Sequence, residues 1–198
     1  WSIFELANIN IKITTSRDIG REILRHGKMT GLTEFSQRYS KVPGIEPIEI
    51  RTAHKSNRQS STDRFEGIIT LQDGTQMSAN NFAKETNEAQ LQSYEILMEA
   101  VDDKGNYVAT ETARGVLPGA TTTVIYLNFR IREFITFLNA RLHKTAQKEI
   151  NDIAIIMSKI LISECPIISK ALFNFEHAYE IHTLEQIVLE KHKVRDVI

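Results

Sequence analysis

One cysteine in 198 residues leaves nothing to pair with, so no disulfide can close within this chain. A lone thiol also suits a reducing compartment, and the cytoplasm is the expected location, or the host cytoplasm for a viral source. Cys165 stands directly before Pro166, between two apolar stretches, and reads as a small buried residue rather than a nucleophile. Only four prolines occur, and no proline-, glycine- or serine-rich run suggests a linker or a low-complexity segment. No apolar run is long enough to span a bilayer, and no leader pattern is legible at the start. Charge of one sign is also lacking. A net charge of −1 creates no global field toward nucleic acid or anionic membrane, so any anion binding must come from local clusters. There is no P-loop and no dinucleotide fingerprint; Gly115 and Gly119 merely flank Leu117-Pro118. No metal is expected, because His177, His182, Glu185 and His192 fit no ligand spacing. His54, Lys55, Arg58 and Arg64 lack interleaved aromatics and read as a solvated loop rather than a nucleic-acid patch.

What is present is an ordinary apolar share, 41%, patterned first for strands and then for helices. Ile3, Ala7, Ile9, Ile11 and Ile13 share one face at period two, predicting a strand over 3–15. Ser16 is a plausible N-cap for a helix over 17–26, with Ile19, Ile23 and Leu24 inward. Residues 27–44 read as a loop, with strands near 46–52 and 65–71 around a polar stretch. Helices are predicted over 80–103 and 106–117, the second stopped by Pro118-Gly119. The β-branched ATTTVIYL suits an extended stretch or a tight entry to the next helix. Helices are then predicted over 128–143 and 146–164, the latter buried nearly all round, with a short one from Pro166 to about Phe173. An amphipathic helix over 182–195 runs through Leu184, Ile187, Val188 and Lys191. This order predicts an α+β fold, an antiparallel or mixed sheet flanked by helices. The expected organisation is a single domain over 1–198, with an extra C-terminal helix within 176–198. Because the chain begins at Trp1 rather than methionine, an N-terminal portion is expected to be missing.

The segment RHGKMTGLTEFSQRY, residues 25–39, concentrates the chemistry. Arg25, His26, Lys28 and Arg38 surround Glu34 and Ser36, just past a helix end. Guanidinium forks match phosphate oxygens in pairs, and a hydroxyl or backbone N–H completes such a cradle. Cations at a helix C-terminus also suit its dipole, which is reason enough for some of them. A second set lies at 128–143. At about 100° per residue, Arg130 and Arg141 project to one side with Phe134 and Phe137, and Arg132 to the other. One helix would thus offer arginines to two environments, although solvated arginines on a surface helix need no function.

Arg25-His26-Gly27, followed by Glu34-Phe35-Ser36-Gln37-Arg38-Tyr39, resembles the R-H-R and E-x-S-x-R-Y signature of flavin-dependent thymidylate synthases. Further pieces are similar to that family in the same order: WSIFEL at 1–6, TSRDIGREILRH at 15–26, KSNRQSS at 55–61, ARGVLP at 113–118 and RIREFITFLNARLHKTAQKEI at 130–150. The resemblance implies a methyltransferase of dTMP biosynthesis that turns dUMP into dTMP. It implies FAD as cofactor, NADPH and methylenetetrahydrofolate as cosubstrates, and a homotetramer with its sites between subunits. It places Glu22, Arg25, Glu34, Ser36, Gln37, Arg38, Arg114 and Arg141 at the nucleotide. Of these, Arg141 would be catalytic, a fixed cation that favours the ionised pyrimidine. It places Ser2, Arg25, His26, Lys28, Glu34, Arg130, Arg132 and Thr136 at the flavin.

The departures from the family pattern are specific. Gly27 replaces the last arginine of the triplet, and Lys28 can restore the charge but not a bidentate fork. Glu22 stands where members carry a neutral residue, which raises a cytosine nucleotide as substrate. Glu133 stands beside Arg132, where it would neutralise that cation, and Thr145 stands where some members carry a flavin-stacking histidine. Two other functions therefore stay open: a related flavin-dependent methylase or hydroxymethylase acting on dUMP or dCMP, and a non-catalytic nucleotide-binding scaffold.

Overall fold

The computed structural model describes residues 2–27, 29–57, 59–143 and 145–173. The tail helix expected over 182–195 and the side chain of Lys28 lie outside these residues. Packing divides the chain into two compact units. One comprises the described parts of Trp1–Ile9, His26–Thr30 and Phe129–Ile198, and the other Asn10–Arg25 and Gly31–Asn128.

The second unit is built on β-branched alternation. Strand β1 (Asn8–Ser16) buries Ile11, Ile13 and Thr15 and exposes the residues between them. Ser16 ends it and caps α1 (Arg17–Leu24), its Oγ accepting from the Ile19 N–H at 3.3 Å. Ile19 and Ile23 are the buried positions of that helix, as their spacing requires. Strand β2 (Gly31–Glu34) follows, then the short hairpin strands β3 (Arg51–Ala53) and β4 (Ser61–Arg64), and β5 (Ile68–Thr70) and β6 (Gln76–Ser78). Helix α2 (Ala79–Glu99), the one-turn α3 (Thr110–Ala113), a 3-10 turn Arg114–Val116 and strand β7 (Thr122–Arg130) complete the sequence. The principal sheet has the order β1-β7-β2, and β2 pairs antiparallel with β7, Glu34 opposite Ile125. Helix α1 lies close on β7: a Cβ at Gly20 would sit 3.0 Å from Ile125 Cδ1 and 3.1 Å from Thr123 Cγ2. Asn80, at the start of α2, ties the hairpins together. Its Oδ1 accepts from the Ile50 N–H and its Nδ2 donates to the Phe65 carbonyl, both at 2.8 Å.

The first unit is helical. A 3-10 turn spans Ser2–Glu5, and helices α4 (Ile131–Arg141), α5 (Lys148–Glu164) and α6 (Pro166–Phe173) pack in succession. Phe134 and Phe137 meet Phe129 at ring-centroid distances of 5.6 and 5.8 Å, over a layer of Ile135, Leu138, Ile150, Ala154, Met157 and Leu161. Among the described residues no helix is long and apolar enough to cross a membrane.

The α+β expectation holds, and β2 with β7, β3 with β4, and β5 with β6 pair antiparallel. Several local expectations do not. The strand of 3–15 starts only at Asn8, and the loop of 27–44 contains β2, whose ladder partner lies over ninety residues away in sequence. The polar stretch between the predicted strands contains β4, held by pairing with β3 rather than by apolar content. The helix of 106–117 shrinks to α3 and a 3-10 turn. Asp102 takes the N–H groups of Lys104 and Asn106 on one oxygen, Gly105 turns at φ 82, and Tyr107 bridges Val101, so no helix starts before Thr110. Residues 128–130 belong to β7, and α4 begins where the Glu133 carboxylate accepts the Arg130 N–H at 3.2 Å. Helix α5 is not buried all round, since Ile156 is 58% and Ile160 38% exposed.

Replacing Phe134, which is fully buried, by alanine is expected to cost about 3–5 kcal/mol of stability. Urea unfolding of the two proteins checks this; a loss under about 1 kcal/mol would mean the aromatic layer collapses around the gap.

Candidate functional site

The second unit gathers one group of sequence-predicted residues. Strand β2 ends at Glu34, whose Oε1 accepts from the Thr123 hydroxyl at 3.1 Å while Arg21 stands 3.4 Å from Oε2. The carboxylate, with a side chain only 18% exposed, is thus fixed by a hydroxyl from β7 and a cation from α1. Two residues on, the Ser36 Oγ accepts from the Arg38 N–H at 3.4 Å. Gln37 tucks inward at 6% exposure, and its buried Nε2 finds no acceptor among the described residues. The Arg38 guanidinium reaches Glu111 on α3 at 3.0 Å and lies 5.7 Å from the centroid of the Tyr39 ring. Arg114, directly after α3, sends its Nε–H to the Glu111 carbonyl at 3.2 Å. Arg38 and Arg114, 76 positions apart in sequence, therefore meet on the same residue. Glu22 sits half-buried on α1, and Arg25 is exposed as its C-cap.

The first unit gathers the other group. Arg130 and Arg132 both hold the Glu5 carboxylate, at 3.2 and 2.7 Å. Hydrogen bonds from Arg132 and then Arg130 hold the Glu5 pKa below the usual carboxylate value. The expected divergence of these arginines is corrected here. Arg130 is the extended last residue of β7 rather than a helical one, so it and Arg132 converge instead of facing two environments. The partner expected to neutralise Arg132 is corrected too. Glu133 caps the helix and stands 4.0 Å from Arg130, whereas Arg132 pairs with Glu5. Thr136 spends its hydroxyl on the Arg132 carbonyl at 2.9 Å. Thr145 turns its hydroxyl to the His143 ring, 2.8 Å away. His26 places its ring 5.1 Å from that of Phe137. Arg141 closes α4, and its carbonyl accepts from Asn151 Nδ2 at 2.8 Å. Ser2 lies exposed on the 3-10 turn that also carries Glu5.

A family model described as "Thymidylate synthase complementing protein" matches residues 1–167. A flavin-dependent thymidylate synthase of Synechocystis is 36% identical over 176 residues, covering 87% of this chain and 74% of that protein. The chain belongs to the flavin-dependent thymidylate synthase family. A probable flavin-dependent thymidylate synthase of Paramecium bursaria Chlorella virus 1 is 35% identical over 172 residues, again covering 87% of this chain and 74% of its own length. A UMP/dUMP methylase from Streptomyces cacaoi, solved bound with 5-Br dUMP, superposes with a TM-score of 0.65. It covers 88% of this chain and 74% of that one, and at 22% identity it speaks for the fold alone.

For a member of this family, the glycine of the altered triplet has a physical reason. Gly27 adopts φ 66, the left-handed conformation that closes the turn after α1. Sequence reasoning missed four supporting residues: Glu5, Arg21, Glu111 and Thr123. A Glu three positions before Arg114 was the only hint of Glu111, and helical spacing cannot show that Arg38 joins it.

Two outcomes follow. Gly27→Arg, which restores the triplet, should lower stability by about 1–2 kcal/mol because a side chain at positive φ is strained; an equally stable variant would show that the turn relaxes. Because the folded pKa of Glu5 is depressed, its contribution to stability is complete above the ordinary carboxylate pKa and is lost as pH falls through the depressed value. A carboxyl-carbon NMR titration should place Glu5 below a typical glutamate; a midpoint at or above that of a typical glutamate refutes the double arginine contact.

Proposed function

We propose that this chain carries out the reductive methylation of dUMP to dTMP, with FAD as cofactor and methylenetetrahydrofolate and NADPH as cosubstrates. The observation that carries this reading is the convergence of Arg38 and Arg114 on one residue, Glu111, Arg38 on its carboxylate and Arg114 on its backbone carbonyl, beside the Ser36–Gln37 turn and the immobilised Glu34. Two neighbouring guanidinium groups, one of them already on a carboxylate, have the chemistry a nucleotide phosphate needs. Arg38 and Arg114 hold that phosphate, and Ser36 with the buried Gln37 amide lines the turn beneath the sugar. Glu34 is a rigid acceptor for a nucleotide hydroxyl or N–H, and Glu22 and Arg25 complete the contacts. Arg141 supplies the fixed positive charge that favours the ionised pyrimidine and so activates its ring carbon.

The residues of the first unit fit a flavin nucleotide. Arg130 and Arg132, each about half exposed, share one carboxylate and keep further N–H donors for an anionic group. They would hold FAD together with Ser2, His26 and Thr136, and Arg25 and Glu34 remain proposed flavin contacts on sequence grounds. Lys28 remains a proposed flavin contact on sequence grounds alone. FAD, when bound, supplies the reducing hydride, restored by NADPH. We take 1–198 as a single functional domain of a homotetramer with sites shared between subunits. The exposed Ile156 and Ile167 offer apolar surface for that assembly.

Titration of the purified protein with FAD and dUMP, followed by mass analysis of the nucleotide formed, tests the reading. Flavin uptake, dUMP binding weakened by salt and lost in Arg38→Ala, and a product heavier by one methylene are expected. A hydroxymethylated product, or conversion of dCMP instead, would replace the reaction, and a colourless protein that binds nucleotide would reduce it to a scaffold. Arg141→Ala should abolish turnover with the fold intact; unchanged turnover removes its assigned role.

A further inference from the structure

The carboxylate seated on Arg38 comes from this same chain, 73 residues along, and nothing in the local geometry of α3 requires it to reach there. Glu111 lies on a one-turn helix, in its first turn, where an acidic side chain already suits the helix dipole without a partner. Instead its Oε2 takes an Arg38 N–H at 3.0 Å, and its own carbonyl takes the Nε–H of Arg114 at 3.2 Å. The contact joins the two arginines that the proposed function assigns to the phosphate. Both side chains are about half exposed, at 51% and 56%, so the carboxylate can turn out into water without any rearrangement of the core.

We propose that Glu111 is an internal competitor for the phosphate seat: its carboxylate occupies the Arg38 fork when no ligand is present, and a phosphate monoester must displace it to bind. The proposal rests on the nucleotide reading for the identity of the ligand, but its chemistry concerns any phosphate. A monoester phosphate brings up to two charges and three acceptor oxygens, against one charge and two oxygens for a carboxylate. It can therefore satisfy Arg38 and Arg114 together, whereas Glu111 spends its carboxylate on Arg38 and only its backbone carbonyl on Arg114. A seat occupied from within is competent for only a fraction of the time, and the apparent affinity falls by that fraction. Exposed ion pairs are weak, so the effect is a moderate one that sets affinity rather than abolishing it. Between turnovers the same contact keeps Arg38 oriented and its charge neutralised.

Titration calorimetry of the full chain with dUMP, and separately with inorganic phosphate, decides the matter. Glu111→Gln keeps the side-chain shape and removes the charge that competes. It should tighten both ligands by about threefold to tenfold. Glu111→Asp keeps the charge but is one methylene shorter and cannot rest on Arg38 in the same way; it should also bind more tightly than the parent. Weaker or unchanged binding in Glu111→Gln overturns the proposal and makes Glu111 a support that positions Arg38. Tighter binding in Glu111→Gln with Glu111→Asp equal to the parent overturns it as well, since simple repulsion at a distance would then suffice. The two readings fail separately. Phosphate binding that tightens in the variants, with no dUMP binding at all, keeps the competitor and removes the nucleotide. Arg38-dependent dUMP binding that is indifferent to Glu111 does the reverse.

Discussion

The hydrogen-bond ladder along β7 is the constraint on which the geometry around Glu34 depends. β7 is the middle strand of its sheet, and its register with β2 puts Glu34 opposite Ile125. Because side chains alternate along a strand, that register also decides that Thr123 presents its hydroxyl to Glu34. Thr122, one residue earlier, gives its hydroxyl to Glu46 at 2.8 Å, so adjacent threonines serve two different carboxylates. The close approach of α1 at Gly20 then brings Arg21 to the other oxygen of Glu34. A slip of one residue would turn every one of these side chains to the opposite face.

Charge is managed in the same manner at each cluster. Arginines that would otherwise repel one another, or be left with unsatisfied forks, rest on a carboxylate of the same chain: Arg21 on Glu34, Arg38 on Glu111, Arg130 and Arg132 on Glu5. Exposed pairs of this kind add little stability. Their consequence is orientation, since each fork is turned toward a defined partner. The near-zero net charge of the chain is the global trace of this local balance.

Much of the fold was legible where the pattern was strong. The capping serine at 16, the isoleucine alternation of β1, the long α2, and the boundaries of α5 and α6 all follow from short-range rules that act within a few residues. What escaped was set by specific pairings that apolar periodicity does not show, some of them far away in sequence. Gly31–Glu34 is a strand only because β7 offers its edge, and Ser61–Arg64 only because β3 does. The predicted helix after Gly105 lost its first turn to an aspartate that captured two backbone N–H groups. The arginine directions on α4 were misjudged because Arg130 ends a strand, and angles on a helical wheel do not apply to a residue outside the helix.

The order of residues alone determined the family, the strands-then-helices layout and the set of arginines and carboxylates available for anion chemistry, because these depend on identity and spacing along the chain. Only the tertiary structure decided which carboxylate meets which guanidinium. Glu5 rather than Glu133 received Arg132, and Glu111 received Arg38, because such pairs form across distances in sequence that no local periodicity encodes. Packing brings those ends within a few ångströms, and at that range hydrogen-bond geometry selects the partner.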